Sequence, residues 1–208
     1  MIKYHKIHNV FTRDKKIVNL WDYSKTAFRY LEDAEWELTE KVDGTNIRVC
    51  FNEDGSVEYG GRTDNAQIPV NLLAHLHDAF DGADNKPTGL TLFGEGYGNK
   101  IQKIGGKYQA DQRFILFDVW AGYRWMERNE VNGIADSLGI PSVPVVKTCT
   151  LKEAVEMVMD GVKSQWGDFL CEGLVARPMM ELNDAIGSRV ITKIKHRDLY
   201  RHEEGRWW

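Results

Sequence analysis

The chain has 208 residues, 42% hydrophobic and 28% charged, ordinary values for one soluble globular domain with a substantial core. Its net charge of -4 excludes an overall basic signal for nucleic acid but remains compatible with a local basic groove. Cys50, Cys149 and Cys171 lack metal-ligand spacing, and without an apolar signal region or a bilayer-length run they fit free thiols in a cytoplasmic protein with no membrane partner.

Met1 to Asp14 mixes aromatic, basic and apolar residues, and nothing near His5 and His8 completes a metal site. Trp36 and Leu38 alternate with Glu35, Glu37 and Thr39, the period of a half-buried strand leading into Lys41. Beyond Glu40-Lys41-Val42-Asp43-Gly44-Thr45, the side chains Ile47, Val49 and Phe51 take one face and Asn46, Arg48 and Cys50 the other. Asn52-Glu53-Asp54-Gly55 then turns the chain into a strand running to Tyr59. The expected arrangement is an antiparallel meander with Lys41 at its mouth. A lysine nucleophile must shed its proton, and from an ordinary pKa of about 10.4 that requires nearby cations or burial. A polar hairpin with a solvated lysine is the ordinary alternative.

Gly60-Gly61-Arg62-Thr63 follows, where glycines permit close backbone approach and Arg62 offers a planar fork to a hydroxyl, carboxylate or phosphate, or else sits on the surface. Leu72, Leu73, Leu76 and Phe80 mark a helix face between Ile68 and Phe80, and His75 and His77, two apart, cannot share it. Leu90 to Phe93 reads as a buried strand ending in a loop, Gly94-Glu95-Gly96-Tyr97-Gly98. No Gly-Lys-Ser/Thr follows, so this is no Walker phosphate loop, and a carboxylate between glycines suits a ribose hydroxyl or a metal better.

Residues 102–112 read as a polar, basic and mobile segment, and Arg113 to Trp120 as a largely buried strand whose aromatics could cover a nucleobase. A helix is expected from Arg124 to Leu138, closed by Gly139 and Pro141, and another opens at the capping box Thr150-Leu151-Lys152-Glu153. Phe169 to Ala176 is a strand-like run carrying Glu172, which needs a metal or cationic partner unless it is a solvated edge acid. Alternation in Val190 to Lys195 puts Lys193 and Lys195 on one face, either solvated or clamping a phosphate.

The blocks Lys-Val-Asp-Gly-Thr-Asn, Gly-Arg-Thr, Phe-Gly-Glu-Gly, Phe-Asp-Val, Glu-Gly-Leu-Val-Ala and Lys-Ile-Lys stand in an order that resembles the covalent nucleotidyltransferases. Over residues 36 to 195 the chain is most similar to the ATP-dependent RNA ligase family, particularly its nick-sealing branch and phage-type enzymes, which leaves a phage-encoded origin open. The resemblance implies an α+β fold, with antiparallel sheets and flanking helices forming a nucleotide pocket, the ligase-type, ATP-grasp-like adenylyltransferase domain. It implies that Lys41 attacks ATP to give lysyl-AMP, passes AMP to a 5′-phosphate end and allows a 3′-hydroxyl to seal the strand.

By the same resemblance Lys193 and Lys195 grip the α-phosphate, Arg62 and Glu95 bind ribose or orient the nucleotide, and Phe117 stacks on adenine. Glu40 lines the adenine pocket, Glu172 holds Mg²⁺ or Mn²⁺, and Asn46 orients phosphate or metal-bound water. The partners implied are ATP and RNA ends or nicks. A DNA or hybrid ligase, a GTP-using capping-type transferase and a non-catalytic nucleotide-binding relative are the alternatives. Residues 1–208 are expected to form a single nucleotidyltransferase domain without a separate C-terminal oligonucleotide-binding domain, and self-adenylylation is expected ahead of efficient sealing. The segment Lys100 to Lys107 and the pair Trp207-Trp208 are candidate nucleic-acid contacts; oligomeric state is not legible, a monomer being compatible.

Overall fold

A computed structural model describes residues 1–15 and 17–200; the Trp207-Trp208 pair lies outside these described residues. In chain order the elements are β1 (His8–Asn9), β2 (Phe11–Asp14), β3 (Ile17–Tyr23), α1 (Thr26–Tyr30), β4 (Glu35–Glu40), β5 (Thr45–Phe51), β6 (Val57–Gly61) and α2 (Val70–Phe80). There follow β7 (Thr91–Tyr97), α3 (Gly105–Tyr108), β8 (Arg113–Trp120), α4 (Arg128–Leu138), β9 (Val145–Thr150), α5 (Leu151–Asp160), β10 (Gly173–Pro178), β11 (Thr192–Lys195) and α6 (His196–Tyr200). The fold is α+β, as the resemblance implies. Contacts gather it into two compact units: Met1–His5 with Asp43–Val143, and Lys6–Val42 with the described residues from Pro144 onward.

The first unit is built on an antiparallel sheet ordered β6-β5-β7-β8. Alternation buries Ile47, Val49 and Phe51 of β5, and these meet Leu72, Leu76 and Phe80, one face of α2 at helical spacing. Helix α4 adds Val131 and Ala135 to the same core. It starts at Arg128 rather than Arg124, because Glu127 and Glu130 form a reciprocal capping box there, and it closes at Gly139 with φ 65°.

The second unit is built on a five-stranded sheet ordered β1-β11-β10-β4-β9, antiparallel except for β1 beside β11. Trp36 and Leu38 of β4, Leu174 and Ala176 of β10 and Ile194 of β11 face Leu151, Ala154, Val155 and Val158 of α5. The Thr150–Glu153 capping box starts α5 as its sequence predicts. Strands β2 and β3 pair in a separate hairpin.

Three expectations need correction. Strands β4 and β5 do not form a meander: β4 has both edges filled by β9 and β10, while β5 pairs with β6 and β7. Gly94 to Tyr97 belong to strand β7 rather than a loop, since a Cβ on Gly94 would come within 2.3 Å of the Phe114 ring and one on Gly96 within 2.3 Å of Leu72. These glycines let the strand pack. The 102–112 segment is anchored, because Tyr108 and Gly105 are buried beside Ile101 and a Cβ on Gly105 would meet the Gly98 carbonyl oxygen at 2.0 Å.

Candidate active site

Lys41 follows the last residue of β4, and its amide donates to the Gly173 carbonyl at 2.9 Å, continuing the β4–β10 pairing past Glu40. The continued ladder sets where the side chain emerges. Lys41 Nζ lies 2.6 Å from Glu172 Oε2, and Lys195 Nζ pairs with Glu172 Oε1. One carboxylate thus carries an ammonium on each oxygen. Burial would push the Glu172 carboxyl up, but Lys41 and then Lys195 outweigh it and hold the group below the ordinary carboxylate range.

The backbone makes this arrangement specific. Glu172 precedes β10, which begins at Gly173 rather than at Phe169, and the His196 amide donates to the Glu172 carbonyl at 3.1 Å. Gly173 has φ 152°, and an added Cβ would lie 2.0 Å from the Ile194 carbonyl oxygen. Only glycine permits that approach. On β11, Thr192 and Ile194 are buried while Lys193 and Lys195 are half-buried, so the two lysines share a face.

Glu40 is 2% exposed, with Oε1 accepting from the Ser164 hydroxyl and Oε2 from the Gln165 amide, each at 2.7 Å. Burial raises its pKa and the two hydrogen bonds offset part of the rise. Sequence reasoning missed Ser164 and Gln165, which lie 124 and 125 residues away and carry no local signal. Burial, with Glu40 adding, pushes the Cys171 thiol up to about 11.

The other four candidates lie in the first unit. Asn46 and Glu95 are opposite one another across β5 and β7. Asn46 Oδ1 is buried without a hydrogen-bond partner. Gly44 is needed for contact, since its Cβ would stand 2.2 Å from the Gly96 carbonyl oxygen and 2.7 Å from Glu95 Cγ. Arg62 is exposed just beyond β6. Phe117 is half-buried, its ring 5.1 Å from Tyr4 in an edge-on contact.

Arg48, which alternation places beside Asn46, is a buried structural brace the sequence did not reveal. It is 1% exposed; its Nε donates to the Gly61 carbonyl at 2.7 Å, Nη2 reaches Asp64 at 3.1 Å and Nη1 reaches the Ile2 carbonyl at 3.2 Å. It therefore braces the glycine pair that leads into Arg62. Tyr4 is a second such case, donating to buried Asp118 at 2.7 Å.

Among the described residues no three His, Cys, Asp or Glu side chains converge on a point that could hold a metal. In the second unit Glu172 is by itself a carboxylate of the kind Mg²⁺ or Mn²⁺ takes, since such ions keep water and phosphate oxygens and use only one or two protein carboxylates. In the first unit the orphaned Asn46 oxygen is by itself an acceptor suited to water.

The sequence profile of the RNA ligase family matches residues 34–195, more than half of the chain. No curated protein matches it. The Naegleria gruberi RNA ligase with PPi has a similar fold, with a TM-score of 0.68 at 18% identity over 99% of this chain and 59% of that one. A lysine-to-alanine variant of it with ATP and Mn gives 0.66 at 16% identity over 99% and 59%. A glutamate-to-alanine variant with AMP and Mn gives 0.65 at 17% over 97% and 58%. The chain spans about 59% of the length of the first of these structures, and at these identities the likeness is one of fold.

Proposed function

Because the chain belongs to the RNA ligase family, we propose that it is an ATP-dependent ligase of RNA ends or nicks that works through lysyl-AMP on Lys41. The observation that carries this reading is the Lys41–Glu172–Lys195 group: an amine held by hydrogen-bond geometry beside a second cation, both on one half-buried carboxylate.

The amine in this group is an ion-pair donor, and attack needs its lone pair. The Lys41–Glu172 contact therefore opens as ATP enters, with the ammonium proton passing to solvent. Nζ then bonds to the α-phosphorus while the α–β phosphoanhydride P–O bond breaks, and pyrophosphate leaves with the electron pair. Lys195, with Lys193 on the same face of β11, neutralises charge on the α-phosphate oxygens. A bound Mg²⁺ or Mn²⁺ held by Glu172 would add to that neutralisation, and by the family resemblance Asn46 orients phosphate or metal-bound water. In the second step a 5′-phosphate oxygen attacks the AMP phosphorus, the P–N bond breaks and Lys41 regains a proton. In the third, a 3′-hydroxyl attacks that 5′-phosphate and AMP departs.

In the same reading Arg62 and Glu95 orient the ribose, Phe117 stacks on adenine, and Glu40 supports the base through the Ser164–Gln165 turn. The described chain is the nucleotidyltransferase portion in this proposal. Self-labelling is the step to test first, because the chain spans less than two thirds of the structures it resembles. Incubation with α-labelled ATP and Mg²⁺ or Mn²⁺, then denaturing electrophoresis, should give a labelled band that Lys41→Ala abolishes. No label on protein shown by mass to be free of AMP refutes the proposal and favours a binding protein. GTP in place of ATP tests the capping alternative, and nicked RNA, DNA and hybrid substrates then identify the polynucleotide.

A further inference from the structure

Away from these residues, the second unit carries a concavity of about 430 Å³ where β3 runs into α1. Its rim holds two large aromatics that burial does not explain: Trp21 is 47% exposed and Tyr30 is 82% exposed. Trp21 is also conformationally unusual, with φ 64°, a region that bulky side chains seldom enter. It sits where the β2–β3 register slips. Phe11 faces Tyr23 and Arg13 faces Val18, so the stretch Asn19 to Asp22 opposes Thr12 alone. A bulge of this kind re-aims a side chain, and here it turns the indole toward the rim while Phe11 steadies it edge-on at 5.4 Å.

The charges of the concavity divide in an informative way. Lys25 is engaged by Asp184 at 3.1 Å, and the Asp22 carboxylate accepts from the Thr12 hydroxyl. Arg29 is exposed beside Tyr30. Aromatic faces, an exposed guanidinium and a carboxylate able to accept from an exocyclic amine are the groups that receive an unstacked base and its phosphate.

We propose that this concavity binds an unpaired nucleotide of single-stranded RNA, its base stacked on Trp21 and Tyr30 and its phosphate met by Arg29. The proposal rests on the reading that the substrate is a polynucleotide, and it places part of that strand outside the nucleotidyl-transfer residues. Stacking of this type tolerates any base, so the grip is on single-stranded character rather than on sequence.

The test uses the full chain without ATP and a fluorescent single-stranded RNA of roughly twelve nucleotides, a length spanning typical single-strand sites, read by anisotropy. Tyr30→Ala should weaken binding by roughly 5- to 100-fold, while Tyr30→Phe keeps it. Arg29→Ala should lower the dependence of log affinity on log salt by about one unit. Self-labelling with ATP, measured on the same preparations, should not change in either variant. Affinities within twofold of wild type for both alanine variants, or equal variant effects on duplex RNA, overturn the proposal and point to a peptide ligand instead. Absence of self-labelling in the wild type would sink the lysyl-AMP reading, yet the ratio of wild-type to Tyr30→Ala affinity would still decide this one.

Discussion

Gly173→Ala is the most informative single change, because one methyl group tests both the backbone strain and the placement of Glu172. The residue has φ 152°, and the new Cβ would lie 2.0 Å from the Ile194 carbonyl oxygen and 2.8 Å from Lys195 Cα. Those neighbours are backbone, so relief requires β10 and β11 to move apart. Forcing a non-glycine residue into this region costs about 1–3 kcal/mol, and overpacking against a fixed neighbour costs about 1–3 kcal/mol more. A loss of roughly 4 kcal/mol is expected, a large share of the usual 5–15 kcal/mol of a folded domain. Gly187→Ala supplies the control within the same unit, since its φ is 79° but a Cβ there meets nothing within 4 Å. It carries the strain without the contact and should lose only about 1 kcal/mol. Urea unfolding of both variants, followed by self-labelling under conditions where each is folded, completes the assay. The folded fraction of Gly173→Ala should label at least tenfold more slowly, because Glu172 and Lys195 are displaced from Lys41. Equal losses of stability in the two variants, with unchanged labelling, would refute the reasoning.

Glu172 has a depressed pKa in the fold, so the stability it contributes is present above the unfolded carboxylate value of about 4.3 and is lost as pH falls through its depressed value. Glu172→Gln should therefore flatten the acid limb of the stability curve below about pH 4.3, and an unchanged limb would count against the two-lysine clamp. Glu40 runs the other way: its raised pKa gives a contribution complete below about pH 4.3 and lost as pH rises through the raised value. Relative to wild type, Glu40→Gln should gain stability as pH is raised from about 4 to 7, and carboxyl-labelled NMR should find Glu40 titrating above the ordinary value near 4.3. Arg48→Lys removes the fork that reaches Gly61, Asp64 and the Ile2 carbonyl, and should cost about 3 kcal/mol by urea unfolding while loosening Met1 to His5 toward proteases. Tyr4→Phe deletes the donor to buried Asp118 and should cost about 2 kcal/mol; a change below about 0.5 kcal/mol would mean that bond carries little.

Much of this was legible because it was local. The alternation of Trp36 and Leu38, the Asn52–Gly55 turn, the capping box at Thr150 and the αL glycine at 139 each act within a few residues, and each formed where its pattern predicts. The order of the motif blocks was legible too, and it led to the family. What escaped depends on distance. Nothing around Arg48 signals that the chain's first residues return to cover it, and nothing around Glu40 names Ser164. Strand β3 was unread because its bulge breaks the period that identifies strands. The supposed meander failed because two strands adjacent in sequence each found better partners elsewhere, and the glycines of β7 resembled a loop although they exist to admit Phe114 and Leu72.

The strand order of the second unit has a consequence for timing. Its sheet places β4 against β10, and the carboxylate that receives Lys41 lies 131 residues further along the chain. Between them runs the whole of Asp43–Val143, a unit with its own sheet and core. On the ribosome, where domains fold roughly in order of emergence, that inserted unit can close while the lysine before it still lacks Glu172, Lys195 and the neighbouring strand. The Lys41–Glu172–Lys195 group is therefore assembled last. A nascent chain halted before β10 would hold Lys41 in an unfinished sheet, and the group would close only once nearly the whole described sequence has been made.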